Sequence, residues 1–346
     1  MSLPSISVIF LSYNQEPYVR EALRSVLAQD LREYEVVIGD DASTDATRRI
    51  LEEEAASHAG RVHVVVLPPA PNSGVIGNFN RCVASATGDV LVVAAGDDVS
   101  HPGRLRRVAE FFAGHPRCAA HYSNARVIDA VGAVVRASWA DITDTPSLFR
   151  FDPVCRHLYQ GVRFCGATAS YRASLMREFG PLRPVPGGED GPMVMRALMR
   201  GDVAVDPEIL VDWRWHGRNM SHGSKPASAD WRERLVRLAA WPDGQTKHLP
   251  GYLGDIAHAR ASGLFAGAGC DRLIALAEEH HHLASLRRDC LLPDATWARV
   301  RDAARAYWRT SASPVGKRTR MIAKALAKKM LPGRLRAALL YRASNF

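Results

Sequence analysis

The sequence predicts an α/β fold: a Rossmann-like, mostly parallel sheet followed by a helical C-terminal region. Three observations carry this. Between Ser5 and Ala113, short apolar runs alternate with stretches of helical spacing, the rhythm of βαβ units. Those runs are apolar throughout rather than alternating, as strands buried on both faces are. After about Ser224 the chain is rich in Ala, Leu and Arg at helical spacing to its end. The expected division is therefore an α/β domain over 1–224 and a mostly helical region over 225–346, with a basic tail at 314–346.

Each element has its own signal. Ser5–Leu11 is rich in β-formers and reads as the first strand, broken by Ser12-Tyr13-Asn14-Gln15-Glu16-Pro17. Over Tyr18–Gln29, Val19, Leu23, Val26 and Leu27 share one helical face. Tyr34–Gly39 is the second strand, the cluster Asp40–Asp45 is turn and cap, and Ala46–Ala56 is a helix. Arg61–Leu67 is the third strand, Asn78–Ala86 a helix stopped by Gly88, and Asp89–Ala95 the fourth strand. Pro102–Ala113 is a helix with Pro at its start, where the missing N–H costs nothing. The rhythm then changes. Ala119–Ser123 and Arg126–Val135 read as strands, the second as a hairpin around Asp129–Gly132. Gly166–Arg172 reads as extended and Ser174–Phe179 as a short helix. Gly187–Pro192 is a loop opening a helix to Arg200, and Ile209–Trp215 is strand-like.

At 47% hydrophobic and 23% charged residues, the 346-residue chain has a globular composition. No run of 18 apolar residues marks a membrane span. The opening M-S-L-P-S-I-S-V-I-F lacks a basic n-region and reads as a strand, not a signal peptide. Six cysteines (82, 118, 155, 165, 270 and 290) show no C-x-x-C spacing and suit buried thiols in a reducing cytoplasm.

The net charge of +9 is unevenly placed. Nine Lys or Arg and no Asp or Glu follow Pro314, so the tail carries the whole excess. That argues against a nucleic-acid-binding core, which would bear its charge on the folded face. Lys317, Arg320, Lys324 and Lys328 fall on one helical face, with Ile322, Leu326 and Met330 on the other. A basic amphipathic helix of this kind reads as lying on an anionic membrane surface. The same pattern also suits a helix packed on the domain with its basic face in solvent.

The stretch Leu91–Leu105, L-V-V-A-A-G-D-D-V-S-H-P-G-R-L, organises the rest. Asp97 and Asp98 stand at the carboxyl end of an apolar strand, where open α/β sheets bind ligands. Adjacent carboxylates repel, and Asp is seldom buried unless paired or bound to metal. A hard cation such as Mg²⁺ relieves that repulsion and bridges a carboxylate to phosphates. Tyr13-Asn14 ends the first strand, Asp40-Asp41 ends the second, and Glu189-Asp190 opens a later helix. An aromatic and an Asp on that edge can stack on a base and accept its ring N–H. The Asp pair can hold ribose hydroxyls and a phosphate-bound metal. Together these describe a nucleoside-diphosphate site.

Structural explanations compete at each position. Asp41 suits a helix cap and Tyr13 a packed turn aromatic. Glu189-Asp190 suits a helix N-terminus favoured by the macrodipole. His216 suits a structural histidine, and His280-His281-His282 a solvated helix face. A dinucleotide-dependent reductase is disfavoured, because S-Y-N-Q-E-P stands where a G-x-G-x-x-G would follow the first strand.

A set of motifs in order then resembles the family 2 glycosyltransferases, which have the GT-A fold. They are I-S-V-I-F-L-S-Y-N, Y-E-V-V-I-G-D-D-A-S-T-D, Asn72-Ser73-Gly74 with Asn80, and Ala86-Thr87-Gly88-Asp89. A-A-G-D-D-V-S-H-P-G-R-L follows, then G-E-D with Arg196 and Gly201, then R-W-H-G-R-N-M-S. The resemblance runs from about Ser5 to Ser221. It implies inverting transfer of a sugar from a nucleotide-diphosphate donor, a UDP-sugar first, to a hydroxyl of a glycan or lipid-linked acceptor. Bacterial surface polysaccharide assembly is the implied setting, with a cytoplasmic enzyme peripheral on the inner face of the membrane. On the same resemblance, Tyr13, Asn14, Asp41 and Asp97 bind the nucleotide-sugar, with Tyr13 and Asp41 on the base and Asp97 on the ribose. Asp98 holds Mg²⁺ or Mn²⁺ on the diphosphate, and His216 supplies a further ligand or a diphosphate contact. Asp190 deprotonates the acceptor.

Two positions depart from the family pattern. Ala95 stands at the first place of its D-x-D-D motif, and Leu11 where relatives often carry Thr. They keep a catalytically weak nucleotide-sugar binding module, or a nucleotidyltransferase, as the alternative. The Q-x-x-R-W element of processive synthases is absent.

Overall fold

The computed structural model describes residues 2–58, 62–139, 147–149, 165–184, 187–216 and 219, scattered positions from 232 to 244, then 246–265, 267–311 and 315–335. Contacts divide the chain into two compact units, Met1–Pro184 with Gly188–Trp215, and Val185–Gly187 with His216–Phe346. The boundary expected at 224 falls within 220–231, outside the described residues.

The first unit is built on one sheet. Strands β1 (Ile6–Ser12), β2 (Glu35–Asp40), β3 (His63–Val66) and β4 (Val90–Ala95) are parallel, in the order β3-β2-β1-β4. Helices α1 (Val19–Leu27), α2 (Thr47–Ser57) and α3 (Gly74–Ser85) connect them. After β4, a two-residue strand β5 (Val99–Ser100) precedes α4 (Arg104–Gly114). Val8 and Phe10 of β1, Val36 and Ile38 of β2, and Val90 and Val92 of β4 form one core with Leu23, Val26, Leu51, Val108 and Phe112 from α1, α2 and α4. α3 packs on the other residues of β1 and β2. With both faces covered, uninterrupted apolar strands are the stable solution.

The second half of the sheet differs from the expectation. β6 is one strand, Cys118–Ile128, where the sequence reads as two. It turns through Asp129–Gly132 into β7 (Val134–Arg136), with Gly132 at φ +88° and Asp129 Oδ1 accepting from the Val131 and Ala133 N–H groups. This confirms the hairpin. β8 (Ser147–Phe149) and β9 (Ala169–Arg172) follow, then α5 (Ser174–Phe179), α6 (Asp190–Arg200) and β10 (Asp202–Arg214). β10 begins seven residues before the strand read at Ile209. The reason is the same for β6 and β10: polar residues sit inside both strands and interrupt the apolar signal. Buried His121 of β6 and Asp206 of β10 meet each other, and half-buried Arg107 of α4 donates to Asp206. β9 runs antiparallel between β4 and β6, β10 lies parallel to β6, and β5 is antiparallel to β10.

Two expected starts move by a few residues. α3 begins at Gly74, a turn before Asn78, because the buried apolar spacing already starts at Ile76. α4 begins at Arg104, leaving Pro102 in the preceding turn.

The second unit is helical. Its described helices with regular bounds are α7 (Leu249–Ala261), α8 (Ala268–Leu291), α9 (Trp297–Thr310) and α10 (Val315–Met330). α8 is central, burying Leu273, Ala277, Leu283, Leu286 and Cys290, and α7, α9 and α10 pack against it. His280, His281 and His282 are half-buried here, not a solvated face. His281 Nδ1 lies 3.0 Å from the Thr246 carbonyl and His282 Nδ1 3.0 Å from Thr310 Oγ1, while burial pushes His280 down to about 4. The five cysteines among the described residues are buried thiols outside any disulfide. No helix among the described residues is long and apolar enough to cross a membrane.

Candidate active site

Strand register assembles the first part of the site. Ser12 pairs with Asp40 and Leu11 with Ala95, so β1, β2 and β4 end level. The loops leaving them are tied together: Asp41 N–H donates to the Ser12 carbonyl at 3.0 Å and Gly96 N–H to the Leu11 carbonyl at 2.9 Å. Gly96 suits this close approach, with the Gln15 side chain and Ser12 packed against it. A Cβ at that position would lie 2.4 Å from Gln15 Oε1 and 3.1 Å from Ser12 Cβ. Gly39 is needed for the same reason, since its Cβ would meet buried Cys82 Sγ at 2.4 Å and Asn78 Oδ1 at 2.5 Å.

On this edge Tyr13 is 49% exposed, so its ring is available and not packed in the turn. Asn14 adopts φ +50° and Ala42 φ +64°. A non-glycine residue in the left-handed region costs roughly 1 kcal/mol, and such strain collects at functional sites. Asn14 Oδ1 accepts from Thr44 N–H at 2.8 Å, and Asn14 N–H donates to Ser43 Oγ at 2.9 Å. Asn14 therefore fastens one loop to the next. Buried Asp41 does similar work: its Oδ1 accepts from Ser73 N–H at 2.8 Å and Ser73 Oγ at 3.0 Å. It does not cap α2, whose first N–H goes to Asp45 Oδ1.

Asp97 and Asp98 are buried, at 8% and 7% exposure. Asp98 Oδ1 accepts from Arg214 N–H at 2.8 Å, and the Asp97 carbonyl accepts from Arg214 Nε at 3.0 Å. Burial, then the charge of Asp97, pushes Asp98 well above the usual carboxylate range, and Arg104 and Arg214 oppose that. Arg104 is fully buried and donates to Ser100 Oγ and to the Val93 and Ala167 carbonyls. Among the described residues no group of three or more His, Cys, Asp or Glu side chains could hold a metal. Among the described residues, this pair offers Mg²⁺ or Mn²⁺ hard carboxylate oxygens. That suits an ion that completes its shell with phosphates and water. His216 follows β10 in sequence, and its N–H donates to Asn219 Oδ1 at 2.9 Å.

Glu189 and Asp190 open α6. Asp190 lies in its first turn and Asp190 Oδ1 accepts from Gly191 N–H at 2.9 Å, a placement the macrodipole favours. The turn Cys165–Thr168 joins the two acidic pairs. Cys165 is close enough to both Asp98 and Asp190 for their charges to raise its thiol, after burial as the larger cause. A Cβ on Gly166 would sit 3.6 Å from Glu189 Oε1 and 3.8 Å from Asp190 Oδ2. Behind them the hydroxyls of buried Tyr122 and Tyr171 are 3.0 Å apart, both under the field of Glu189 and Asp190. Sequence reasoning missed Arg104, Arg214, Cys165 and the tyrosine pair. Both arginines stand inside quoted motifs, but arginine ordinarily signals solvent.

The level edge of parallel strands, with one acidic pair on it and a second across the Cys165–Thr168 turn, sits in an α/β architecture of the GT-A type. The Glycosyl transferase family 2 description matches residues 7–180, and the chain belongs to that family. EpsE of Bacillus subtilis is 32% identical over 182 residues, 53% of this chain, and the chain spans 61% of EpsE's length. Two solved structures share the fold at 19% identity. Residues 1–349 of Staphylococcus aureus TarS in complex with UDP-GlcNAc give a TM-score of 0.54, covering 88% of this chain and 90% of that one. The mannosyltransferase PcManGT of Pyrobaculum calidifontis, in complex with GDP-Man and Mn²⁺, gives 0.52, covering 98% and 87%.

Burial and the Asp190 charge push Glu189 up to about 7. An acid whose folded value lies above its unfolded one holds its proton more tightly in the native state. Stability therefore falls as pH rises from its ordinary value to about 7. Glu189→Gln is expected to raise the melting temperature relative to the parent more at pH 8 than at pH 5. Equal shifts at both pH values would show that Glu189 is not so perturbed.

Proposed function

We propose that this enzyme is an inverting, divalent-metal-dependent glycosyltransferase that takes a nucleoside-diphosphate sugar, a UDP-sugar first, and a hydroxyl of a glycan or lipid-linked acceptor. The observation that carries the reading is the pairing of Asp97-Asp98 with Glu189-Asp190 around the Cys165–Thr168 turn. One pair answers the leaving group and the other the nucleophile, as a single displacement at the anomeric carbon requires. The UDP-GlcNAc held by TarS and the GDP-Man and Mn²⁺ held by PcManGT support the donor and metal classes.

Tyr13 stacks on the base and Asp41 accepts its ring N–H through Oδ2, which no described residue engages. Asn14 shapes this loop, and Asp97 takes the ribose hydroxyls. Asp98 holds Mg²⁺ or Mn²⁺, whose chemistry is to neutralise charge on the departing diphosphate. Asp190 accepts the acceptor's proton, because it keeps some exposure while Glu189, 4% exposed, is covered.

The basic tail places the enzyme, on this reading, peripherally at the cytoplasmic face of an anionic membrane. α10 packs along α8, burying Ala325, and Arg318 stacks 4.9 Å above Trp308. Arg320 and Lys324 face solvent, and Met330 is 73% exposed. These groups are free to meet a surface.

Three outcomes test the reading. Asp98→Ala, or EDTA on the parent, is expected to abolish transfer and weaken nucleoside-diphosphate binding; full activity in EDTA would end the metal role. Asp190→Asn should retain donor binding by calorimetry and lose about 10²–10⁴ in kcat, the usual worth of a positioned base, with NMR of the parent's product showing inverted anomeric configuration. Retained activity in Asp190→Asn beside a dead Glu189→Gln would move the base to Glu189. The full chain should bind anionic vesicles less as salt rises, because surface attraction is screened; salt-independent binding, or none, would remove the membrane role.

A further inference from the structure

In the helical unit, α9 leaves its largest apolar side chains outside. Its buried residues are Val300 and Tyr307, while Trp297 is 55% exposed and Trp308 40%. One exposed aromatic on a surface is ordinary. Here two share a side of one helix. They stand eleven residues apart, about three turns or roughly 16 Å along the axis. Both rings therefore leave the helix in nearly the same direction. Arg301 and Arg305, both exposed, lie between them on that side. α10 fixes this face at both ends. Arg318 Nη1 donates to the Trp308 carbonyl at 2.9 Å, and its guanidinium lies 4.9 Å over the Trp308 ring. Lys329 Nζ donates to the Leu292 carbonyl at 3.0 Å, in the turn that leads into α9. The start of α10 thus stands by Trp308 and its end by the turn before Trp297.

The charge around the two rings has one sign. α9 carries four arginines and one carboxylate, Asp302, and α10 carries six Lys or Arg and no carboxylate. Asp289 takes Arg299 at 3.0 Å, and Asp302 meets Arg301 at 3.3 Å in an exposed pair of little worth. With these two carboxylates and exposed Asp294 all counted against them, the two helices keep a net positive charge. An indole, with an apolar body and a polar N–H, settles at the boundary between lipid headgroups and acyl chains. Cations beside it meet anionic headgroups. We propose that the Trp297–Trp308 side of α9 is the surface that enters an anionic bilayer, with the two indoles at headgroup depth and Arg301 and Arg305 on lipid phosphates between them. Two anchors on one helix also set the angle at which the helical unit meets the surface, which diffuse attraction of a basic tail does not. This rests on the membrane reading given above and adds to it a part that salt does not screen.

Sedimentation of the full-length chain with vesicles of phosphatidylglycerol and phosphatidylcholine tests it. The parent's binding is expected to fall as salt rises but not to vanish. Trp297→Ala combined with Trp308→Ala should weaken vesicle binding at least about tenfold, since burying one large apolar side chain is worth roughly that factor. The deficit should persist at high salt. Arg301→Gln combined with Arg305→Gln should weaken binding at low salt only, because surface attraction is screened. Vesicle binding by the double tryptophan variant equal to the parent's would overturn the proposal alone. So would a shift from oligomer to monomer in that variant with vesicle binding kept, which would assign the face to a second copy of the chain. If the double variant does not fold, Trp297→Ala decides, because Trp308 then keeps its contact with Arg318: undiminished vesicle binding overturns the proposal. No vesicle binding by the parent would remove the membrane reading and the proposal together.

Discussion

The matched register of β1 with its two parallel neighbours is the constraint on which the site depends. Ser12 lies opposite Asp40 and Leu11 opposite Ala95, so three loops leave the sheet at one level. A slip of one residue would turn every side chain of a strand to the other face. Here it would drive Val8 and Phe10 out of the core that α1 and α4 close. Hydrophobic packing thus sets the position of Tyr13, Asp41 and Asp97 without touching them. Gly39 and Gly96 let the connecting segments approach closely enough to keep that level. The left-handed Asn14 and Ala42 then redirect the chain outward.

Charge is the second constraint. Five acidic side chains gather near this edge: Asp41, Asp97, Asp98, Glu189 and Asp190, all but Asp190 nearly inaccessible. Each would be unfavourable alone in such surroundings. The fold answers them differently. Asp41 is spent on Ser73, Asp98 is faced by Arg104 and Arg214, and Glu189 is pushed toward neutrality. The Asp97-Asp98 turn is therefore faced by fixed cations, while Glu189 and Asp190 repel each other.

Much of this was legible in the sequence, and the rest was hidden for physical reasons. β1 to β4 announce themselves because both of their faces are buried. The Asp pair stands out because carboxylates rarely end such a strand. β6 and the first half of β10 were obscured by Asn124 and Asp206. Those polar residues are tolerated only through partners far away in sequence, such as Arg107 for Asp206 and Ser138 for Asn124. His280–His282 were misjudged for the same reason, since Thr246 and Thr310 lie 28 residues or more away from the histidines they meet. Arg104 and Arg214 stand inside the motifs without a signal of their own, because nothing local distinguishes a buried arginine from an exposed one.

The choice between Glu189 and Asp190 as base shows how local structure decides what a motif leaves open. Both sit at the start of α6, both are raised by burial, and their spacing in sequence is one residue. A base must come within hydrogen-bond reach of the hydroxyl it deprotonates. Glu189 is covered, facing the Gly166 turn and the field of the Tyr122 and Tyr171 hydroxyls. Asp190 keeps a partly open carboxylate, with Oδ1 on the Gly191 N–H. Placement in the first turn favours its ionised form through the helix dipole, which a base needs. Glu189 raised to about 7 beside it limits the negative charge that Asp190 must tolerate. On the proposed mechanism, covered Glu189 moderates the charge and open Asp190 is the group placed to take the proton.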